Sequence, residues 1–363
     1  MDLYDRLFGN EFFNESGRPI YMDDTYFKDY YFSFISDREQ ARKKKGKCVF
    51  PYCAKKCVSS HTIPESAVLK RIAHQKNVLY PHFDTTLGTY QCKPISIGKA
   101  SVFPGFCTEH EKLFSGFEIN GEFGDQSIAL QNLRVIYRYL FETSSLLKVF
   151  KRKLTSYKKE LMDYQRERFT QADKFVKKGV TLIDINDNIT EHLSNNIEKL
   201  EYILARIHNE DLVPFIDTLT GKNLSISIIT VNIEYEVPIC LAGKSEFKTN
   251  QGNYTVHLSI FPYQRNTFCC FSLPKSSEQK FMALLERYDD DLKFLKFIES
   301  WMIHGTDFWY INPIEWESYT QEKKEKILTQ LNNTDHFPDE ELDFMIFDNL
   351  RANYRPLTPK VVE

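Results

Sequence analysis

Glycine and proline are scarce, at 14 residues each in a chain of 363. Collagen-like and low-complexity architectures are thereby excluded. No sign of charge dominates: 47 Lys and Arg against 50 Asp and Glu leave a net charge of −3. Such a chain is no basic nucleic-acid coat, and any nucleic-acid contact must come from a local patch. No apolar run reaches the length of a membrane span. The longest approach, Leu224 to Ile233, is broken by serine, threonine and asparagine. The first thirteen residues carry acids where a secretion signal carries lysines, and they lack an apolar centre. A soluble, cytoplasmic protein without membrane contact is expected. There is no Gly-x-Gly-x-x-Gly, phosphate-loop lysine or Gly-x-Ser-x-Gly, so nucleotide-hydrolase and serine-hydrolase chemistry find no support.

What is present suffices for more than one core: 42% of residues are hydrophobic and 14% aromatic. The first 40 residues are aromatic and acidic, with Tyr21, Tyr26, Phe27, Tyr30, Tyr31, Phe32 and Phe34 beside Asp23, Asp24 and Asp29. Charge then reverses. Between Arg38 and Lys76 there are eleven Lys or Arg against Glu39 and Glu65, centred on Arg42, Lys43, Lys44, Lys45 and Lys47.

From Asp125 to His208 apolar residues recur at helical spacing: Ile128, Leu133, Ile136, Tyr137, Leu140, then Leu147, Phe150, Leu154, Tyr157, Leu161 and Tyr164. Asp125 or Ser127 caps the start, and Gly179 ends the first helix. A second helix over 186–207 makes an antiparallel hairpin, which offers a surface for a homo-oligomer. From Leu224 on, alternation predicts strands at 225–228, 233–237, 254–260 and 267–273, with Gly243, Gly252 and Asn253 in turns. Helices return at 278–288 and 292–302. The aromatic run with Trp301, Trp309 and Trp316 reads as core, and the acidic stretch Asp335 to Asp348 as a solvated or partner-binding tail. The expected class is α+β in four segments: 1–40, a zinc domain at 41–124, the hairpin at 125–208, and a mixed C-terminal region with antiparallel strands at 209–363.

Cysteine carries the sharpest signal. Five of the eight lie between Cys48 and Cys107. In a reducing compartment such clustering beside histidine favours metal over disulfides. Zinc takes four N or S ligands, commonly as two short-spaced pairs. Cys48-x4-Cys53 supplies one, with Pro51 tightening the knuckle, and Cys107-x2-His110 the other. Cys57 and Cys92 remain alternates, and the nearby lysines favour thiolates.

The run Ser60-His61-Thr62-Ile63-Pro64, between a cysteine pair and Phe106-Cys107-Thr108-Glu109-His110-Glu111, resembles the HNH nuclease family with its treble-clef (ββα-metal) core. It is most similar to a group of largely uncharacterised bacterial HNH-like proteins. The resemblance covers residues 48 to about 118. It implies His61 as general base for phosphodiester hydrolysis, Cys48, Cys53, Cys107 and His110 around a structural zinc, and magnesium or manganese at the phosphate. It makes DNA or RNA the partner, gripped by Arg42, Lys43, Lys44, Lys45 and Lys47.

Three positions depart from the family pattern. Ser60 stands where an acid or histidine precedes the base, and Phe114 where a second metal-binding histidine falls. Asn77 is the one candidate for the orienting asparagine. Glu109, Glu111, Glu118, His82 and Asp84 are the residues that would stand in as catalytic-metal ligands. The alternative function is a non-enzymatic binding or interaction module on the same scaffold, with His61 structural.

Overall fold

The computed structural model describes residues 36, 40, 46–50, 52–84, 89–116, 118, 124–176, 188–249, 252–306, 308–332, 337–353 and 360–362. The aromatic N-terminal segment, Arg42 to Lys45, Gly179 and Asp335 lie outside them. So do the side chains of Leu161 and Tyr164.

The architecture is mixed α+β, and every strand pairing is antiparallel. A two-stranded ladder joins β1 (Ser59–His61) to β4 (Val102–Pro104). Between them in sequence come a helical stretch, α1 (Glu65–Leu69 continuing through Lys70–Ile72), and a hairpin of β2 (Asn77–Asp84) and β3 (Thr89–Ser96). A short helix, α2 (Thr108–Glu111), follows β4.

The main sheet holds eight strands in the order β10-β5-β8-β7-β6-β9-β2-β3. Its remaining members are β5 (Ile226–Ile233), β6 (Ile239–Thr249), β7 (Gly252–Tyr263), β8 (Asn266–Pro274), β9 (Trp309–Ile311) and β10 (Lys360–Val362). The β2–β3 hairpin, which sits between the two halves of the cysteine cluster in sequence, pairs through Leu79 with Ile311 of β9. Residues of the 41–124 segment and the 209–363 region therefore share one sheet.

Alternation along the strands sorts the two faces. Val256, Leu258 and Ile260 of β7, with Phe271 and Leu273 of β8, point into a large core with Phe281, Phe297, Trp301 and Trp309. That core is closed by α5 (Glu278–Leu285) and α6 (Asp291–Ser300). The opposite face is more polar. There Asn132 donates to Ser272 Oγ at 2.6 Å and accepts from Ser259 Oγ at 2.9 Å. Asn132 belongs to α3 (Asp125–Val176), 52 residues long. It starts at the expected Asp125.

Along α3 the predicted apolar stripe is used twice. Its first turns, with Leu133, Ile136 and Tyr137, pack on the cysteine segment. Farther on, Val149, Phe150 and Leu154 meet Leu193, Ile197 and Leu200 of α4 (Asn188–Arg206). These are the antiparallel partners expected from the spacing. None of the helices searched among the described residues is long and apolar enough to cross a membrane.

Two local expectations are corrected. The run 233–237 is not a strand. β5 ends at Ile233 and β6 begins at Ile239. The Thr267 hydroxyl holds the intervening bend, accepting from Val237 N at 2.7 Å and donating to Tyr235 O at 2.8 Å. Gly243 is not in a turn but inside β6, and Gly252 and Asn253, also expected in turns, are the first residues of β7, paired with Thr249 and Lys248. A Cβ at Gly243 would fall 2.8 Å from the Thr306 side chain, so this glycine permits a close approach rather than a reversal.

The acidic stretch is docked where it is described. Ile346 and Phe347 are buried, and their backbone N–H groups donate to buried Glu299 at 2.9 and 2.8 Å. Arg351 reaches both oxygens of the same carboxylate, at 2.6 and 2.9 Å. Trp301, Trp309 and Trp316 are buried, as the core reading expects.

Candidate metal centre

The knuckle from Gly46 to Cys57 is fixed by its own backbone. Cys48 N donates to Lys55 O at 2.8 Å, Cys53 N to Phe50 O at 3.1 Å, and Cys57 N to Gly46 O at 3.1 Å. Val49 N and Val58 N donate to Gly105 O and Phe106 O, at 2.9 and 2.7 Å. These bonds lash the knuckle to the segment entering α2. Cys107 is the extended residue before α2, and His110 lies in its first turn. One pair of donors thus comes from a loop and the other from a helix start.

The four donor atoms of Cys48, Cys53, Cys107 and His110 lie within 4.8 Å of one another. Cys48 Sγ is 3.3 Å from His110 Nδ1, Cys107 Sγ is 3.5 Å from the same nitrogen, and Cys53 Sγ is 3.9 Å from Cys107 Sγ. Tetrahedral zinc with Zn–S of about 2.3 Å requires S···S separations of about 3.8 Å and slightly shorter S···N. The donor set therefore fits a metal such as zinc, with His110 offering Nδ1. Its imidazole is held by stacking on Phe50, ring centroids 4.1 Å apart.

The electrostatics of the thiols divide. Burial pushes Cys48 up to about 11. Cys107 is lowered, chiefly by the backbone N–H of His110 and also by that of Glu109, which converge on it at the helix start. The alternates stand apart. Cys57 is buried but outside the group. Cys92 lies on β3, packed at the margin of the large core, its thiol pushed far up by burial. Cys240, Cys269 and Cys270 are buried in the sheet. All eight cysteines are free thiols.

His61 ends β1, opposite Val102. Its ring is about four-fifths buried. Burial lowers its pKa first, and the Arg134 charge adds to this, against the raising fields of Glu65 and Glu118. Nε2 is buried and has no hydrogen-bond partner. Glu65 Oε2 stands 3.6 Å from Nε2, too far for a hydrogen bond.

The departures from the family pattern have structural occupations. Ser60 is fully buried and its Oγ accepts from Phe106 N at 3.0 Å. Phe114 is buried, with the Arg134 guanidinium 4.1 Å above its ring. Arg134 in turn donates to Glu118 at 2.6 Å and Glu111 at 2.9 Å. Glu109 pairs with Lys55. His82 contacts Tyr80, and Asp84 pairs with Lys93 at 3.2 Å. Asn77 bonds the Gln75 carbonyl at the foot of β2. Among the described residues, no second group of three or more His, Cys, Asp or Glu donors gathers closely enough to share a metal. Lys47 is exposed beside the knuckle, while Arg42 to Lys45 lie outside the described residues.

Sequence reasoning missed Arg134 and Glu65. Arg134 carries a signal, since it interrupts the buried series Leu133, Val135, Ile136 and Tyr137. Glu65 sits four residues after His61, at the start of α1, with its Oε2 3.6 Å from Nε2.

No protein-family model, curated protein or solved structure matches the chain.

Proposed function

We propose that residues 46–118 form a zinc-stabilised treble clef of HNH type, and that the protein hydrolyses phosphodiester bonds of DNA or RNA with His61 as general base. The observation that carries this reading is the placement of two ligand pairs on a knuckle and a helix start, joined by a two-stranded ladder that ends on His61. The zinc ties the knuckle to α2 and takes no part in the chemistry. His61, whose Nε2 is buried without a hydrogen-bond partner, takes the proton of the attacking water. Magnesium or manganese belongs to this reading as the counter-charge at the phosphate, and the acids whose fields reach His61 are Glu65 and Glu118. The place of action is the cytoplasm, where the free thiols stay reduced.

A specific observation favours the second reading, a nucleic-acid-binding module that does not cleave. Arg134 engages both Glu111 and Glu118, and Ser60 and Phe114 are turned into packing. One experiment separates the two. Zinc-loaded wild type and His61→Ala are incubated with DNA and RNA, with and without magnesium or manganese. Cleavage by wild type alone, dependent on the added ion, supports the nuclease. Equal, salt-sensitive binding by both without cleavage supports the module.

A further inference from the structure

The tip of the metal knuckle carries a residue that the fold does not need. Tyr52 lies between Phe50 and Cys53 in the turn closed by the Cys53–Phe50 hydrogen bond, and its side chain is fully exposed. Its φ is +60°, in the left-handed region where glycine is at ease and an aromatic residue is strained. Among the described residues the ring stacks on nothing and bonds to nothing. An exposed ring held in an unfavourable backbone conformation is a mark of function rather than packing.

The base of the same knuckle repeats the pattern. Lys47 and Lys56 face each other across an isolated antiparallel bridge. Both are exposed, and neither has an ion-pair partner among the described residues. Like charges directly opposite each other weaken a bridge. Neighbouring Lys55 does not share this, because Glu109 neutralises it. Two exposed lysines paired across the bridge, without an ion-pair partner among the described residues, on the knuckle that carries an exposed ring match a phosphate backbone with an unpaired base beside it.

We propose that this knuckle is a contact for single-stranded nucleic acid, with Tyr52 stacking on an unpaired base and Lys47 and Lys56 holding the flanking phosphates. The proposal rests on the nucleic-acid reading above and adds the strandedness of the partner and two residues, Tyr52 and Lys56. A duplex keeps its bases stacked within itself and offers the ring no face. The backbone bonds around the knuckle fix where Tyr52 projects, so only its side-chain rotation is ordered on binding.

The test uses the full zinc-loaded chain without added magnesium or manganese. Binding of labelled oligothymidylate, oligouridylate and a mixed-sequence duplex is followed by fluorescence anisotropy across a salt series. Tyr52→Gly suits the left-handed backbone, so it keeps the zinc and a melting temperature at or above that of wild type. It weakens binding to the single strands about tenfold or more, while Tyr52→Phe retains it. Lys47→Ala and Lys56→Ala each flatten the logarithmic salt slope by about 0.7. Binding of either homopolymer in this pattern supports the proposal. Wild-type affinity in Tyr52→Gly, or a duplex bound more tightly than both single strands, overturns it and leaves the nucleic-acid reading standing. A zinc-loaded wild type that binds none of the three overturns both.

Discussion

His110 Nδ1 lies 3.3 Å from Cys48 Sγ, across 62 residues of sequence. Cys53 and Cys107 complete the same group. The side chains are already placed for a tetrahedral ion, and the first prediction follows from that placement.

Purified protein should carry one zinc per chain. Cys53→Ser, Cys107→Ser and His110→Ala abolish it, whereas Cys57→Ser and Cys92→Ser leave it in place. Elemental analysis of each variant checks this. Structural zinc contributes on the order of 10 kcal/mol in small domains, so stripping the metal should unfold the knuckle and lower the melting temperature markedly.

On the nuclease reading, His61→Ala should abolish cleavage while zinc content and circular dichroism stay as in wild type. Burial and Arg134 hold the imidazole pKa below its ordinary value. The basic form therefore persists as pH falls through the ordinary histidine range of about 6.5, and the acid limb of the pH–rate profile lies below that value. A limb centred above it would contradict the assignment of His61.

Arg134→Met leaves Glu111 and Glu118 without their buried partner. Breaking a buried ion pair from one side costs about 3–5 kcal/mol. Thermal unfolding of zinc-saturated protein should show a loss of that order. Arg134→Lys rescues it only in part, because an ammonium cannot offer the two-pronged geometry.

Asp211 is buried, which by itself raises its carboxyl, yet His257 at 3.2 Å and Lys244 at 2.7 Å outweigh burial and hold it at about 2. A folded-state pKa below the unfolded one means stability that is present above the unfolded value of about 3.9 and is lost as pH falls toward 2. Asp211→Asn should flatten the acid denaturation curve across that window and cost stability at neutral pH. Urea titrations at a series of pH values read both effects.

Much of this was legible in the sequence. The four donor residues come together as their spacing suggested, because short-range pairs of soft ligands leave few other uses for themselves. The start of α3 and its double apolar stripe were equally plain, since helical periodicity over many turns is a strong signal. Less visible were features that depend on distant partners. No local pattern announced that β2 would pair with Ile311, more than two hundred residues away. The bend before β6 is held by the Thr267 hydroxyl, which no window around Tyr235 contains. Gly243 read as a turn because its reason, the Thr306 side chain above it, comes from another part of the chain. Arg134 shows why a charge in an apolar stripe merits suspicion. Its two carboxylates lie on the segment that precedes α3.

The insertion of β2 and β3 between the ligand pairs also bears on the order of assembly. Bringing Cys48 and His110 together from an open chain would cost about 4 kcal/mol in loop-closure entropy. The sheet removes most of that cost in advance, since β9 captures β2 and the ladder from β1 to β4 draws the two ends of the excursion side by side. The sheet brings the two ligand pairs near each other, and the ion then orders and locks the knuckle that its removal unfolds. The lag between sheet formation and zinc uptake becomes a measurable interval in refolding.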